Sequence, residues 1–388
     1  MSTTTLQLST SALTDWRRFR WLLATVLPLL PLAGIGLRET LGSDLWLFAP
    51  TVILYGLVPL LDGWIGEDSN NPTEEDVPAL EADPYYRRVV CLSLPLVYLV
   101  LVFCGWYAVN AGLSWYGYLG LAMAVGWTAA AGMNAGHELG HKRGVAERRL
   151  SQLALAPAAY GHFCIEHNLG HHRHVATPED SASSRLGESY YRFMAREIPG
   201  AIKRAWQLES ARLAREGHAP WSPRNEILQT GTVTVALWGG LLLWLGVAVL
   251  PLLLIHAVMA YSLLSSANYV EHYGLLRERD TEGRYERPRP RHSWNSNHVL
   301  SNIMLYQLQR HSDHHAHAAR SYQALRHFDE APQLPSGYFG MFLLAFVPSL
   351  WFRVMDRRVI AHAEGEASRI NFHPPRRAEL IERYGLAD

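Results

Sequence analysis

Residues 89–136 read VVCLSLPLVYLVLVFCGWYAVNAGLSWYGYLGLAMAVGWTAAAGMNAG, with no Asp, Glu, Lys or Arg. About 20 apolar residues span a bilayer as a helix, because only a helix satisfies its own backbone hydrogen bonds in lipid. The stretch therefore holds two spans, with a tight turn near Asn110-Ala111-Gly112. Residues 227–270 are likewise free of charge, with room for a turn near Pro251. Residues 21–37 and 45–61 supply two further charge-free cores. The pattern predicts an all-α integral membrane protein with six transmembrane helices, at about 19–38, 44–63, 89–110, 114–137, 229–250 and 252–271. A seventh apolar run, 338–351, is short for a span and reads as an interfacial helix or a packed core segment.

Global composition conceals this organisation. Mean hydropathy is −0.04 because apolar runs alternate with polar ones. Charged residues make up 18 %, below the quarter or so usual in soluble domains. Net charge is zero, so bulk charge points to no acidic partner, and no basic patch is dense enough for nucleic acid. There is no internal repeat and no phosphate-cradling Gly-rich loop. Cys91, Cys104 and Cys164 form no Cys-x-x-Cys pair, which argues against a disulfide framework, a zinc ribbon or a fused rubredoxin-type iron site. Cys91 and Cys104 fall in an apolar run and read as membrane-buried packing residues. Residues 1–15 are Ser/Thr-rich and expected to be disordered. The apolar run after them is too long, and lacks the cleavage site, for a signal peptide. Residues 16–388 read as one membrane domain.

Lys and Arg set the expected orientation. With the N-terminus in the cytoplasm, the external loops are about 38–44, 110–114 and 251, and Arg38 is their one basic residue. The other 34 of the 35 Lys and Arg then lie on the cytoplasmic side, in the short loop 66–88, the N-terminal segment and the large polar regions 142–226 and 271–388.

The 19 histidines are the compositional anomaly, and they cluster in four places. His137-Glu138-Leu139-Gly140-His141-Lys142 ends the fourth span. Glu166-His167-Asn168-Leu169-Gly170-His171-His172 follows in the first polar region. Asn268-Tyr269-Val270-Glu271-His272-Tyr273-Gly274 ends the sixth span, and Leu308-Gln309-Arg310-His311-Ser312-Asp313-His314-His315 lies beyond it. His137 and His141 stand at i, i+4 and share a helix face, His167 and His171 repeat the spacing with His172 alongside, and His311, His314 and His315 stand at i, i+3, i+4. In a chain this rich in histidine one H-x-x-x-H pair arises by chance about once, but an H-x-x-H-H triplet only ~0.05 times. Nine histidines exceed what one metal binds, whereas two metals with four or five nitrogens each account for them. Each box carries an acid, Glu138, Glu166, Glu271 or Asp313. An adjacent helical residue points about 100° away, so each acid is expected to orient a histidine of another box by accepting from its second ring nitrogen.

Other histidines are assigned elsewhere. His218, His256, His327, His362 and His373 have no histidine partner at helical spacing, and His162 reads as a packing residue. His174 and His317 flank the boxes within reach of a metal, and His292 and His298 flank Trp294-Asn295-Ser296-Asn297 as candidates for orienting ligands.

Imidazole suits zinc, copper, iron and nickel alike, but structural zinc closes at four ligands and usually recruits Cys. A site beneath a bundle of apolar helices suits a lipid-soluble substrate. Such a substrate, without a leaving group, gives no foothold for hydrolysis. Oxidation by activated dioxygen at a redox metal is the expected reaction.

The words HELGHK, EHNLGHH, NYVEHYGL and LQRHSDHH, in this order and spacing, resemble those of the membrane-bound alkane 1-monooxygenases, or alkane ω-hydroxylases. The likeness covers nearly all of the chain beyond the first 15 or so residues. The wider membrane fatty-acid desaturase and hydroxylase superfamily shares only three looser histidine boxes, and NYVEHYG favours the alkane branch. The resemblance implies a single hydroxylase domain with a non-haem di-iron centre held by His137, His141, His167, His171, His172, His272, His311, His314 and His315. It implies terminal hydroxylation of medium-chain n-alkanes to primary alcohols in a bacterial inner membrane, with dioxygen and two electrons from NADH through rubredoxin reductase and a rubredoxin. Bulky residues of the second span, such as Tyr55, are candidates to close the alkane channel. A desaturase or another hydroxylase of the superfamily is the nearest alternative.

His137-Glu138-x-x-His141 also spells the zincin signature, with Glu as general base, and Leu61-Asp62-Gly63 resembles the Asp motif of intramembrane zinc metalloproteases. That motif normally follows the HExxH helix, and the protease reading leaves seven boxed histidines idle. A metal transporter would want ionisable ligands at mid-membrane, where only His256 is on offer.

Overall fold

The computed structural model describes residues 16–387, and the segment 1–15, expected to be disordered, lies outside the described residues. Among those residues the only β pairing is isolated bridges, and the ordered elements are helices. Six of these are long: α1 (Trp16–Leu41), α2 (Asp44–Ile65), α3 (Pro84–Asn110), α4 (Trp115–Gly140), α5 (Glu226–Leu245) and α6 (Val247–His272). All but α4 are long and apolar enough to cross a membrane by length and composition alone. Exposed Trp16 and Trp64 lie at one end of the bundle and exposed Trp46, Trp115 and Trp244 at the other, as interfacial anchors do.

α4 differs because it is the centre of the bundle. Its 26 residues include six glycines and six alanines in place of bulky aliphatics, and it packs on α1, α2, α3 and α6. Small residues let backbones approach where no water is present to drive association. A Cβ built on Gly126 would stand 2.4 Å from the Met259 Cβ of α6, and one on Gly132 would stand 2.7 Å from a Val97 methyl of α3. The lack of charge before Glu138 makes α4 membrane-compatible, and its neighbours supply the apolar surface that meets lipid.

At the end away from the polar regions, Arg38 gathers the hairpins. Its guanidinium donates to Asp44 at 2.7 Å, to the Tyr107 hydroxyl at 2.9 Å and to the Ala111 carbonyl at 3.1 Å. Asp44 also accepts from the backbone N–H and hydroxyl of Ser114, both at 2.6 Å. The turn between α5 and α6 falls at Gly246, not near Pro251. Gly246 takes φ +73, a conformation open to Gly at little cost, whereas Pro251 sits in the first turn of the helix Leu250–His272, where its missing N–H breaks no bond.

The polar regions form a cap over the other end. It contains the helix Val145–Leu155, a helical segment 163–174, the long helix Tyr190–Arg215 and the short helices Val299–Met304 and His311–Ala316. Tyr190–Arg215 is tied to α6 by Tyr190, whose hydroxyl lies 2.6 Å from the Ser262 hydroxyl, and by Glu197, which accepts from Ser265 at 2.7 Å and Asn268 at 3.3 Å. The run 338–351 breaks into Tyr338–Ala345 and Pro348–His362, bent by 119°. Tyr338, Phe339, Met341 and Phe342 are all buried in the main hydrophobic cluster, so its first part is a packed core helix. Cys104 is buried and Cys91 half-buried, and all three cysteines are free.

The close α4–α6 contact is directly testable. Gly126→Leu forces side-chain volume against Met259 and the His256 carbonyl and should cost about 1–3 kcal/mol, seen as a lower midpoint of thermal unfolding in detergent. Gly231→Ala, on α5 with nothing within 4 Å of the added methyl, should unfold at or above the wild-type midpoint.

Candidate metal centre

The nine boxed histidines come from four segments, and the local structure of each decides where its rings go. His137 lies in the last turn of α4 and His141 caps it, so their i, i+4 spacing places both on one face. The segment 163–174 does not continue as a plain α-helix. Residues His167–His171 form a π turn, in which i and i+5 come into line rather than i and i+4. His167 and His172 therefore face the same way, and His171 faces another. The helix His311–Ala316 lies between the two directions, sending His314 one way and His311 and His315 the other.

The result is two groups of Nε2 atoms. In the first, His137, His167, His172 and His314 close a four-sided ring with edges of 2.9, 3.1, 3.1 and 3.0 Å. His141 stands 3.2 Å from His137 as a fifth donor. In the second, His171, His315, His311 and His272 form a chain with spacings of 3.2, 2.9 and 3.2 Å. Seven of the nine side chains are buried, and His141 and His172 are half-buried.

This arrangement is not a hydrogen-bond network. A neutral ring nitrogen carries either one proton or one lone pair, yet His137 Nε2 has three nitrogen neighbours within 3.2 Å. Only a shared cation satisfies so many convergent lone pairs, so the donor set fits bound metal. Burial, and after it the crowd of other imidazoles, holds His167, His172, His311, His314 and His315 well below the ordinary imidazole pKa. At neutral pH these rings are uncharged and offer lone pairs.

The acids divide. Glu271 Oε2 lies 3.2 Å from His311 Nε2, while its other oxygen accepts from the Tyr338 hydroxyl at 2.9 Å. The remaining three pair with cations instead of orienting a boxed histidine. Glu138 meets Lys142 at 2.9 Å, Glu166 lies 3.5 Å from Arg204, and Asp313 meets Arg320 at 2.7 Å. Each Lys or Arg carries a full positive charge that a neutral imidazole lacks, and so draws the carboxylate more strongly. Glu138, the acid of the zincin-like word, is thus ion-paired with Lys142.

The carboxylate that does hold a metal-facing ring is Asp180, which the sequence reading missed. It accepts from His171 Nδ1 at 2.8 Å and from the Ser183 hydroxyl at 2.7 Å. Burial opposes its ionisation, but His171 and Ser183 outweigh it and hold the carboxyl well below the usual range. Asp180 sits nine residues after His171, beyond any box, and its one signal is the turn-forming Pro178-Glu179-Asp180 that folds it back.

The flanking histidines stand outside both groups. His174 pairs with Glu179 at 3.2 Å, and exposed His317 lies 4.0 Å from Asp313. His292 lies 3.2 Å from Glu286, and His298 contacts the Ser296 hydroxyl at 2.8 Å. His162 packs on Tyr160 with ring centroids 4.6 Å apart. Tyr55 is buried on a π turn of α2, against Trp127 at 5.0 Å and Phe339 at 6.2 Å.

Apolar spans beneath a histidine-lined cap define a class, and the fatty acid desaturase family model matches residues 113–345. Within that class the chain belongs to the alkane 1-monooxygenases. It is 47 % identical to an alkane 1-monooxygenase of Pseudomonas putida, over 95 % of this chain and 92 % of the relative. It is 48 % identical to alkane 1-monooxygenase 1 of Alcanivorax borkumensis, over 96 % and 92 %. A more distant likeness, 32 % over 57 % of this chain and 58 % of the relative, is to the hydroxylase component of a xylene/toluene monooxygenase of Pseudomonas putida.

Asp180→Asn keeps the shape but weakens the acceptor for His171. Metal affinity should fall roughly 10–100-fold, measured by titrating the metal-free protein with ferrous ion, while the helical circular-dichroism signal stays unchanged.

Proposed function

We propose that this chain hydroxylates the terminal methyl of medium-chain n-alkanes to primary alcohols, using dioxygen and two electrons delivered by rubredoxin. The observation that carries the proposal is the convergence of nine imidazole nitrogens in two groups directly beneath apolar spans. The relatives' names supply the substrate class and the type of reaction. Two irons are assigned to the site, one with His137, His141, His167, His172 and His314, the other with His171, His272, His311 and His315. Bound there, they supply the redox chemistry by which one oxygen atom enters a C–H bond and the other leaves as water. The first group's five nitrogens exceed the four of a closed tetrahedral zinc site, and the oxidation named by the relatives calls for a redox metal.

The chain's own residues then have defined tasks. The spans admit an apolar substrate sideways from lipid and exclude water from the reacting carbon. Tyr55, wedged against Trp127 and Phe339, is proposed to close the far end of the alkane path. It stands seven residues before Asp62, about 10 Å along the axis. Asp180 holds the ring of His171 in one tautomer. Glu138, Glu166 and Asp313 anchor Lys142, Arg204 and Arg320 around the site.

The Lys and Arg distribution supports a bacterial inner-membrane location with the cap in the cytoplasm, where NADH and rubredoxin reductase supply rubredoxin with electrons. His141 and His172 are the two boxed histidines that reach towards the surface, beside exposed Arg143 and Arg173. Region 142–226 holds 13 Lys and Arg against 9 Asp and Glu, and region 271–388 holds 16 against 14. Rubredoxins are typically acidic, and such a pair is steered together by charge.

Two measurements check this reading. Purified protein should contain two irons per chain and no stoichiometric zinc, and His272→Ala should lose both metal and alkane oxidation while His218→Ala, half-buried beside Arg224 and outside both groups, keeps both. One zinc and no iron would instead support a protease. Separately, the half-saturating concentration of rubredoxin should rise with ionic strength, because the screening length shrinks to about 8 Å at physiological salt. A single turnover of chemically reduced enzyme should not change. A half-saturation point that stays put between low and physiological salt would remove charge steering from the account.

A further inference from the structure

The two histidine groups differ in number, five nitrogens against four, and Glu271 lies where the second group is short. Its side chain is 1 % exposed, and its Oε2 stands 3.2 Å from His311 Nε2. That nitrogen already has His315 Nε2 at 2.9 Å and His272 Nε2 at 3.2 Å. It therefore has three neighbours for one proton or lone pair, the same crowding that His137 shows in the first group. We infer that Glu271 is itself a metal ligand, the tenth protein donor of the centre, and that the two metal positions are electrostatically unequal. The inference rests on the two-metal reading above.

Three observations carry it. The first is how the carboxylate is held. Oε1 accepts from the Tyr338 hydroxyl at 2.9 Å, and Tyr338 N–H donates to Gln309 Oε1 at 2.7 Å. Gln309 Nε2 donates to the Ser301 hydroxyl at 2.9 Å, and Ser301 N–H donates to Asp62 at 3.0 Å. This buried chain runs from α2 to the site and fixes one oxygen while leaving the other aimed among the ring nitrogens. One oxygen tied and one presented is how a monodentate carboxylate ligand is held.

The second observation is charge. A carboxyl out of water either keeps its proton or takes a cationic partner. Glu138, Glu166 and Asp313 each have a Lys or Arg. Among the described residues no Lys or Arg pairs with Glu271, and its one ion-pair contact is His311. A cation between His171, His272, His311 and His315 supplies the missing partner.

The third is asymmetry. The second group has Glu271 at its inner face and Asp180 on His171 Nδ1. Among the described residues no carboxylate lies at ion-pair distance from His137, His141, His167, His172 or His314. Asp180 also lies 3.5 Å from Arg204, so Glu271 is the carboxylate left to offset a divalent metal in the second group, and the first group has none at that distance. The second position therefore fills first and empties last.

The test uses the full-length protein in detergent, loaded anaerobically with iron-57 and read by iron count, release to a chelator and Mössbauer spectrum. Wild type should hold two irons, leave one more slowly than the other, and show two signals of equal area. Glu271→Gln preserves size and can still accept from Tyr338. It should speed the slow release roughly ten-fold or more, at least what losing a ligand's orienting partner costs, and should shift or remove one signal only. Tyr338→Phe changes no charge and frees the carboxylate. It should keep two irons and shift that same signal, and it carries the test if Glu271→Gln does not fold. Wild-type release rates and an unshifted spectrum in either variant would overturn the inference and leave the two-metal reading standing. Fewer than two irons in wild type would overturn that reading.

Discussion

Nine imidazole nitrogens face one another inside the protein, and they cannot satisfy one another. Bringing lone pairs within 2.9–3.2 Å of each other is repulsive unless positive charge lies between them. The cap is built so that this convergence is stable once such charge is bound. A metal bound there would add its affinity to the folding free energy of the segments that carry these histidines. The π turn at His167–His171, the histidine at the end of each of α4 and α6, and the short helix His311–Ala316 all follow from that requirement.

The membrane bundle answers a different requirement and meets the first at α4. Four spans must approach one central helix closely enough to hold His137 and His141 in place, so that helix gives up bulk for Gly and Ala. The cost is a segment less apolar than its neighbours. It is tolerated because α4 is shielded from lipid and needs little hydrophobic surface of its own. The same close packing places the apolar spans against the histidine groups, which is what an alkane arriving from lipid requires.

The acids show how tertiary neighbours redistribute roles. Each box offered a carboxylate, and all four looked equivalent in sequence. Three found a Lys or Arg, the stronger attraction, and only Glu271 faced the rings because no such cation reaches it. Asp180, with no motif around it, took the orienting role at His171 because a turn folds it back under the ring. Two carboxylates therefore gather at one histidine group and none at the other, an asymmetry that no spacing rule contains.

Much of the architecture was legible in one dimension. Charge-free runs marked the bundle because lipid forbids unpaired charge over some 20 residues whatever the packing. The boxed histidines marked the centre because residues three and four apart on a helix must share a face. The turn at Gly246 was misplaced at Pro251 since both residues interrupt helices, and only backbone geometry shows which one reverses the chain. The grouping of the nine rings was not legible either. His167 and His171 look paired by spacing, but the widened turn sends them to different groups. Which ring meets which and which acid stays unpaired depend on contacts between segments some 30 to 177 residues apart, and Asp180 reaches His171 through a turn that no box contains. Local periodicity holds no information about those contacts, and packing of the whole chain decides them.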